Sequence, residues 1–190
     1  MSYSPDRKEE IRHNFLKKRQ NLSSQEVEKK SEQIIKQLLR LKTFRDANVI
    51  HSYVSIEKNR EVNTKKFIQS SLDMGKQVVV PKIAGEGELQ HFKINSLDEL
   101  RENSLGVPEP SGGREIPIRD LDLIIVPMVA GDLNKNRIGY GAGYYDRFLQ
   151  NCTAAKVGLL YDCQLYADSL PVEEFDIPLD ILITESREIK

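Results

Sequence analysis

Apolar residues recur at helical spacing in the first forty positions and predict two amphipathic helices. The first begins near Ser4-Pro5, where proline suits a first helical turn, and carries Arg and Lys on all faces except one, which is formed by Ile11, Phe15 and Leu16. In the second, Ser23 and Glu26 have the spacing of a capping box, and the apolar stripe continues through Ile34, Ile35, Leu38 and Leu39.

The next segment predicts a strand, a helix and a second strand, at residues 48–56, 63–74 and 77–83. Two strands joined by a helix pair in parallel, so this is a βαβ unit. A weaker strand at residues 89–94 precedes a helix that begins at Ser96, where Glu99 completes a second capping box. Residues 107–114 are rich in Pro and Gly and predict a loop.

A continuous apolar run at residues 121–129 is typical of a central strand that is covered on both faces. A short helix at residues 144–150 and strands at 156–161 and 181–184 follow. No repeat, long linker or low-complexity tract interrupts the chain. We therefore expect one domain over residues 1–190, an α/β fold that is a three-layer α/β/α sandwich with a mostly parallel central sheet.

Composition narrows the possible partners. The 190 residues include 28 Lys and Arg against 29 Asp and Glu, so no overall positive field favours nucleic acid or an anionic membrane. No apolar stretch approaches the roughly 18 residues of a membrane helix, and the charged N-terminal segment does not resemble a signal peptide. Cys152 and Cys163 lack zinc-site spacing. We expect a cytoplasmic protein with free thiols.

Residues 137–147, with the sequence Arg-Ile-Gly-Tyr-Gly-Ala-Gly-Tyr-Tyr-Asp-Arg, predict a phosphate-binding loop. Alternating glycines let the backbone approach a bulky anion and turn its N–H groups toward it, and the following helix adds its positive end. Arg137 and Arg147 offer guanidinium forks for phosphate oxygens, and Asp146 offers a hard oxygen ligand for Mg²⁺. The loop follows the predicted central strand, where ligands of α/β sheets collect.

Spacing alone leaves alternatives open. The loop matches neither the common mononucleotide nor the dinucleotide motif, and a tight structural turn with solvated arginines would have the same pattern. Lys8 and Arg12 lie one turn apart on a helix face that solvent alone would explain. Glu61 and Asp176 are equally compatible with ordinary loop carboxylates. His13, His51 and His91 are scattered and form no catalytic set.

Together with Val126-Pro127, residues 137–147 resemble the motif of the 5-formyltetrahydrofolate cyclo-ligase family, and the similarity covers nearly the whole chain. Lys8 with Arg12 resembles the N-terminal basic pair of the family, residues 61–64 its acidic motif, and residues 175–180 its acidic C-terminal segment. Three positions depart from the pattern, since members often carry Gly, Phe and Gly where this chain has Met128, Gly131 and Lys135.

The resemblance implies that ATP and Mg²⁺ are used to convert 5-formyltetrahydrofolate into 5,10-methenyltetrahydrofolate through a phosphorylated formyl group, with release of ADP and phosphate. It implies that Arg137 and Arg147 are catalytic and that Asp146 and Asp176 hold the metal, with Asp180 nearby. Implied ATP contacts are Lys8, Arg12, Arg137, Ile138, Gly139, Tyr140, Gly141, Ala142, Gly143, Tyr144 and Tyr145. Implied folate contacts are Val54, Glu61, Tyr140, Gly141, Ala142, Gly143 and Tyr144. Of the adjacent tyrosines, Tyr144 is the expected ligand contact and Tyr145 the expected core residue.

Two other functions are compatible with the architecture. A sugar-phosphate isomerase or acyl-transferase would share the fold but need no ATP, and a silent nucleotide- or folate-binding module would bind without turnover. A monomer is the default expectation.

Overall fold

A computed structural model describes residues 5–150 and 152–190. Its helices are α1 (Pro5–Gln20), α2 (Ser24–Leu38), α3 (Lys42–Asp46), α4 (Thr64–Asp73) and α5 (Tyr144–Leu149). Its strands are β1 (Val49–Ser52), β2 (Gln77–Gly85), β3 (Glu88–Ile94), β4 (Leu100–Glu102), β5 (Pro108–Pro110), β6 (Leu123–Val126), β7 (Ala130–Gly131), β8 (Arg137–Ile138), β9 (Ala155–Leu159), β10 (Ile181–Ile183) and β11 (Glu188–Ile189).

Seven strands form the central sheet, in the order β11-β10-β9-β6-β1-β2-β3. The inner pairs β10/β9, β9/β6, β6/β1 and β1/β2 are parallel, while β3 and β11 add antiparallel edges. The predicted βαβ unit is therefore confirmed as β1-α4-β2, and the apolar run at residues 121–129 supplies the middle strand, β6. These five parallel strands bring their carboxyl ends to one edge of the sheet, where α/β proteins bind ligands.

Helices flank both faces, as the predicted sandwich requires. Alternate strand residues pack under α2, α3 and α4 on one face, among them Ile50, Leu123, Ile125, Val157 and Leu159. On the other face, α5 and neighbouring loops cover the intervening residues, among them Val79, Ile124, Val126 and Leu182. The layer on this second face is thus built from one short helix and irregular segments.

The start of α2 forms as its sequence predicts. The Ser23 side chain accepts the Glu26 backbone N–H and the Glu26 carboxylate accepts the Ser23 N–H, while Leu22 and Val27 join the same apolar cluster. The first helix is confirmed as α1, although its proposed cap, Ser4, lies outside the described residues. Its apolar residues Ile11 and Phe15 pack against the β7–β8 hairpin, which places α1 beside the carboxyl ends of the strands.

Several local predictions are wrong. The capping box at Ser96 forms but begins only a single 3₁₀ turn, Leu97–Glu99, because no apolar stripe continues it. The chain instead enters β4, which pairs with β5 inside the segment predicted as a loop. Prolines at both ends of β5 are tolerated because the pair stands apart from the main sheet. The sequence reasoning also missed α3, the β7–β8 hairpin and β11, which follows the strand expected to be last.

Within residues 5–150 and 152–190, no helix combines the length and the apolar character that crossing a membrane requires.

Candidate functional site

A cleft of about 280 Å³ lies at the carboxyl ends of β1 and β6, which continue into Val54 and Pro127 in its wall. Fifteen of the sixteen predicted site residues line it. They are Lys8, Arg12, Val54, Glu61, Arg137, Ile138, Gly139, Tyr140, Gly141, Ala142, Gly143, Tyr144, Tyr145, Asp146 and Asp176. The exception is Arg147, whose side chain is not among the lining groups. Segments that are far apart in the sequence therefore converge on one site.

The helix α1 supplies the basic side of the cleft. Lys8 donates to the carboxylates of Glu173 (2.5 Å) and Asp176 (2.6 Å). Although burial by itself would lower the pKa of Lys8, these two carboxylates raise it above its ordinary value. One turn later, Arg12 donates from Nε to the Gly139 carbonyl at 2.9 Å and also pairs with Glu9. The face that solvation alone could have explained therefore makes specific contacts with the acidic segment and the glycine-rich loop.

The glycine-rich loop runs from β8 to α5 along the cleft. Gly141 has φ +101°, which favours glycine, and a Cβ placed there would lie 3.4 Å from the Arg12 guanidinium carbon. Arg137, at the start of the loop, is 8% exposed. It donates to Asp146 Oδ1 at 2.5 Å and to the Ile177 carbonyl. The loop is thus fixed at its base by an ion pair and faces the cleft with its glycines.

Arg147 occupies a different place from the one predicted. Its Nε donates to the Gly87 carbonyl at 2.8 Å and its Nη2 to the Ala142 carbonyl at 2.6 Å, so it ties the loop to the β2–β3 turn. It lies in the second half of the short helix α5, which turns its side chain away from the lining of the cleft. Arg147 therefore contacts the backbone of the predicted loop but does not line the cleft with the other predicted residues.

The carboxylate of Glu61 stands in the opposite wall and is 8% exposed. Its Oε2 accepts the Ile56 backbone N–H at 2.7 Å, and its Oε1 accepts the hydroxyl of Tyr140. Each carboxylate oxygen has two acceptor positions, so both oxygens keep one for a ligand. Burial, followed by the charge of Glu61, raises the pKa of Tyr140 well above its ordinary value, so this hydroxyl stays protonated.

The two adjacent tyrosines are both half-buried and both line the cleft. Tyr145 also packs with both apolar clusters of the sheet and against the rings of His51 and Phe148. The Tyr145 hydroxyl is buried and has no hydrogen-bond partner among the described residues. Burial raises its pKa.

The carboxylates of Asp146 and Asp176 both line the cleft, and each is already paired with a cation. Asp146 accepts Arg137 through Oδ1, and Asp176 accepts Lys8 through Oδ2. The second oxygen of each has no hydrogen-bond or ion-pair partner within the described part of the chain. No group of three or more His, Cys, Asp or Glu side chains among the described residues forms a metal cage. This donor set suits Mg²⁺, which takes one or two carboxylates beside nucleotide phosphates. Asp180 does not line the cleft and instead accepts the Lys156 N–H at 2.7 Å.

Sequence reasoning missed the wall formed by β2, β3 and β5, which contributes Pro81, Ile83, Leu89, Val107, Pro108 and Glu109. Glu109 is buried, and its carboxylate accepts the Ile83 N–H at 3.0 Å. Phe175, 55% exposed, stands at the mouth of the cleft. No local motif marks this wall, because it exists only once distant strands have paired. The prolines on either side of Glu109 were its one available signal.

The structure accommodates two of the three departures from the family pattern, Lys135 and Met128. Lys135 has φ +66° in the turn between β7 and β8, so it adopts the conformation that glycine would favour. Asp132 fixes this turn by accepting the N–H groups of Asn134 and Asn136, each at 2.9 Å. Met128 is buried, and its Cε would lie 2.1 Å from a Cβ at Gly158. The side chain therefore fills the space above that glycine.

Comparisons with known proteins agree with this geometry. The model of the 5-formyltetrahydrofolate cyclo-ligase family matches residues 4–185. The chain is 32% identical over 185 residues to the 5-formyltetrahydrofolate cyclo-ligase of Haemophilus influenzae, covering 93% of this chain and 97% of the relative. It is 36% identical over 156 residues to the Escherichia coli K12 enzyme of the same name, covering 78% of this chain and 85% of the relative. The NMR structure of Aquifex aeolicus 5,10-methenyltetrahydrofolate synthetase superposes with a TM-score of 0.86 at 35% identity, covering 96% of this chain and 92% of that one.

Proposed function

Because the chain belongs to the 5-formyltetrahydrofolate cyclo-ligase family, we propose that it uses ATP to close 5-formyltetrahydrofolate to 5,10-methenyltetrahydrofolate, with release of ADP and phosphate. One observation carries the proposal. A single cleft brings together a basic helix face, a glycine-rich loop at the carboxyl edge of the sheet, and a buried carboxylate on the opposite wall.

The triphosphate of ATP is proposed to lie between α1 and the glycine-rich loop, residues 138–145. Lys8, Arg12 and Arg137 are the basic side chains that line the cleft, and all three lie on this side. Guanidinium forks match phosphate oxygens, and the glycines leave room for the backbone to approach. The Gly139 carbonyl holds Arg12 against the loop, and Asp176 holds Lys8 in the cleft.

The folate ring is proposed to lie against Glu61, where the free acceptor positions of the carboxylate suit the amino and N–H groups of a pterin. Val54, 5% exposed, contributes an apolar surface beside it, and Tyr140 and Tyr144 offer aromatic faces. The unpredicted wall of Ile83, Leu89 and Val107 extends this apolar side and suits the non-polar part of the substrate.

The reaction requires activation, because the formyl group on the ring nitrogen is an amide. The formyl oxygen attacks the γ-phosphorus, and the bond from that phosphorus to the ADP oxygen breaks, which gives a phosphorylated iminium. The bridge nitrogen then attacks the formyl carbon and loses its proton. Phosphate departs with the former formyl oxygen as the methenyl ring forms. Both phosphoryl steps spread negative charge over oxygens, so positioning and cations carry the catalysis.

Within this scheme, Arg137 is proposed to contact the transferring phosphoryl group. Arg147 has its guanidinium committed to the carbonyls of Gly87 and Ala142, so its proposed contribution is to hold the loop in shape. This revises the catalytic role that the sequence predicted for it.

Magnesium is proposed to be held by Asp146 and Asp176 together with the phosphates. Among the described residues, the cleft is lined by three basic side chains, Lys8, Arg12 and Arg137, but by five acidic ones, Glu61, Glu109, Asp146, Glu173 and Asp176. A polyanionic triphosphate therefore needs more positive charge than the protein provides. When bound, Mg²⁺ would supply it and neutralise the charge that develops on the phosphoryl oxygens.

The test is to follow the absorbance of the methenyl product in purified protein with 5-formyltetrahydrofolate, with and without ATP and Mg²⁺. We expect product only when both are present, with one ADP formed per product. Product formation at the same rate without ATP would refute the proposal. Folate binding without any turnover would favour a silent binding module. The predictions of a monomer, one domain over residues 1–190 and a cytoplasmic location stay predictions.

A further inference from the structure

A buried arginine behind the cleft lies outside every role assigned so far. Arg19, in the last turn of α1, is 1% exposed. Its Nη2 donates to the Tyr140 hydroxyl at 2.7 Å, its Nη1 donates to the Met128 carbonyl at 3.4 Å, and its guanidinium lies 5.5 Å from the centre of the Tyr140 ring. Its Nε has no partner among the described residues. Arg19 does not line the cleft, so any influence on a ligand passes through another residue.

The hydrogen bonds around Tyr140 have only one possible direction. Arginine has no acceptor, so the Tyr140 oxygen must accept from Arg19. The hydroxyl proton is then free to point only at its other partner, the carboxylate of Glu61. Burial and the charge of Glu61 raise the pKa of Tyr140, which keeps this proton on the oxygen. The result is a fixed chain from Arg19 through Tyr140 to Glu61, closed by the Ile56 N–H.

The charges at its two ends explain why this chain of hydrogen bonds forms. A buried guanidinium is costly without an opposite charge, and Glu61 is the acid at the end of its hydrogen-bond chain. Tyr140 itself is 43% exposed and lines the cleft, so without the bond to Arg19 its side chain would be free to leave Glu61. Its position on α1 also directs Arg19 toward the cleft side of the helix. It follows Arg12 by seven residues and thus shares the face that carries Lys8 and Arg12.

We propose that Arg19 is a positioning residue for the folate side of the cleft, holding the Tyr140 hydroxyl and, through it, the Glu61 carboxylate in place to accept hydrogen bonds from the pterin. The inference rests on the proposed function for the identity of the ligand. It assigns separate tasks to one helix, because Lys8 and Arg12 face the triphosphate side whereas Arg19 supports the folate side.

The test is a double-mutant cycle of Arg19→Gln, Tyr140→Phe and the combined variant, with Lys17→Gln as the matched control. Lys17 is exposed on the same helix and outside the cleft. For each protein, the dissociation constants of 5-formyltetrahydrofolate and ATP are measured by calorimetry, together with both KM values. We expect each single variant to weaken folate binding roughly 10-fold, as for the loss of one hydrogen bond to a charged group, with ATP binding unchanged.

The cycle identifies the route of the effect. If Arg19 acts through Tyr140, the double variant will be no weaker than the worse single variant. Three results would overturn the inference. In the first, the fold-losses of the two single variants multiply in the double variant. In the second, Arg19→Gln keeps the parental dissociation constant for folate, and in the third, ATP and folate binding weaken equally. Should Arg19→Gln fail to fold, Arg19→Lys replaces it in the cycle, with a smaller loss expected because one donor and the charge remain. Turnover of the parent protein is recorded first, so a failure of the proposed function is seen separately from a failure of the cycle.

Discussion

Replacing Gly141 by valine tests whether the glycine-rich loop binds phosphate or is only a tight turn. At φ +101°, a β-branched residue is strained, at a cost of about 1–3 kcal/mol. A Cβ at this position would lie 3.4–3.6 Å from the three terminal guanidinium atoms of Arg12, which is already contact distance. A valine methyl extends about 1.5 Å further and would crowd that guanidinium.

Gly75→Val provides the matched control. Gly75 also has a positive φ, +75°, and a Cβ there would meet nothing within 4 Å. It lies between α4 and the amino end of β2, away from the cleft. The same residue is thus introduced with a similar backbone strain but without a neighbour from the site. For a chain of this length, 1–3 kcal/mol corresponds to a melting point lowered by roughly 2–12 °C in either variant.

Melting points, turnover and the KM for ATP are measured on the same preparations. We expect both variants to melt earlier, but only Gly141→Val to lose ATP binding, by more than about 10-fold, because Arg12 and the backbone N–H groups no longer fit around the phosphates. If Gly141→Val melts early yet keeps the parental KM and turnover per folded molecule, the loop is a structural turn and the phosphate site lies elsewhere.

Three further predictions concern charged and titratable side chains. Lys8→Met should weaken ATP binding on the order of 10–100-fold, while the control Lys17→Met, at an exposed position outside the cleft, should leave it unchanged. Equal ATP affinities of the two variants would contradict a phosphate contact of Lys8. Asp146→Asn should raise the Mg²⁺ concentration for half-maximal turnover, because an amide keeps an oxygen ligand but loses the charge. A Mg²⁺ titration curve equal to that of the parent would disprove a metal-binding role for Asp146. Burial lowers the pKa of His51 well below its ordinary value, and that of His91 to about 4. The unfolded chain therefore binds more protons below about pH 6.5, so stability should fall as the pH drops from about 6.5 toward 4, less steeply in a His51→Phe/His91→Phe variant.

The sequence predicted those parts of the fold that depend on neighbouring residues. The capping box of α2 uses Ser23 and Glu26, three positions apart, and the β1-α4-β2 unit alternates its apolar pattern within residues 48–83. The central strand, β6, was recognisable because all four of its residues are buried and apolar. Such signals are complete within one segment and need no knowledge of what the segment packs against.

The parts that were missed depend on distant pairing. The β4–β5 and β7–β8 pairs are only two or three residues long, too short for a period-2 pattern. Nothing in the sequence singled out Arg19, since its partner, Tyr140, is 121 residues away. The motif predicted the same role for Arg137 and Arg147. In the structure, Arg137 lies on the strand before the loop, whereas Arg147 lies on the helix after it. Their directions are set by the fold and not by the spacing.

The pairing of charges in the cleft suggests how Mg²⁺ and ATP would enter together. Lys8 is paired with Asp176, and Arg137 with Asp146, so two of the three proposed phosphate ligands are each held by a proposed metal ligand. A bare triphosphate would draw the cations from these carboxylates and leave two acids without partners, which is costly in a partly buried site. Mg²⁺ alone would leave the cations unpaired in the same way. When both bind, Lys8 and Arg137 would pair with the phosphates instead of the carboxylates. Asp176 and Asp146 would then bind the metal, so every charge would keep an opposite charge beside it. The same ion pairs hold the side chains in position beforehand, which reduces the ordering required on binding. Under the proposed function, the acidic residues of the cleft would oppose a bare anionic ligand and favour its metal complex.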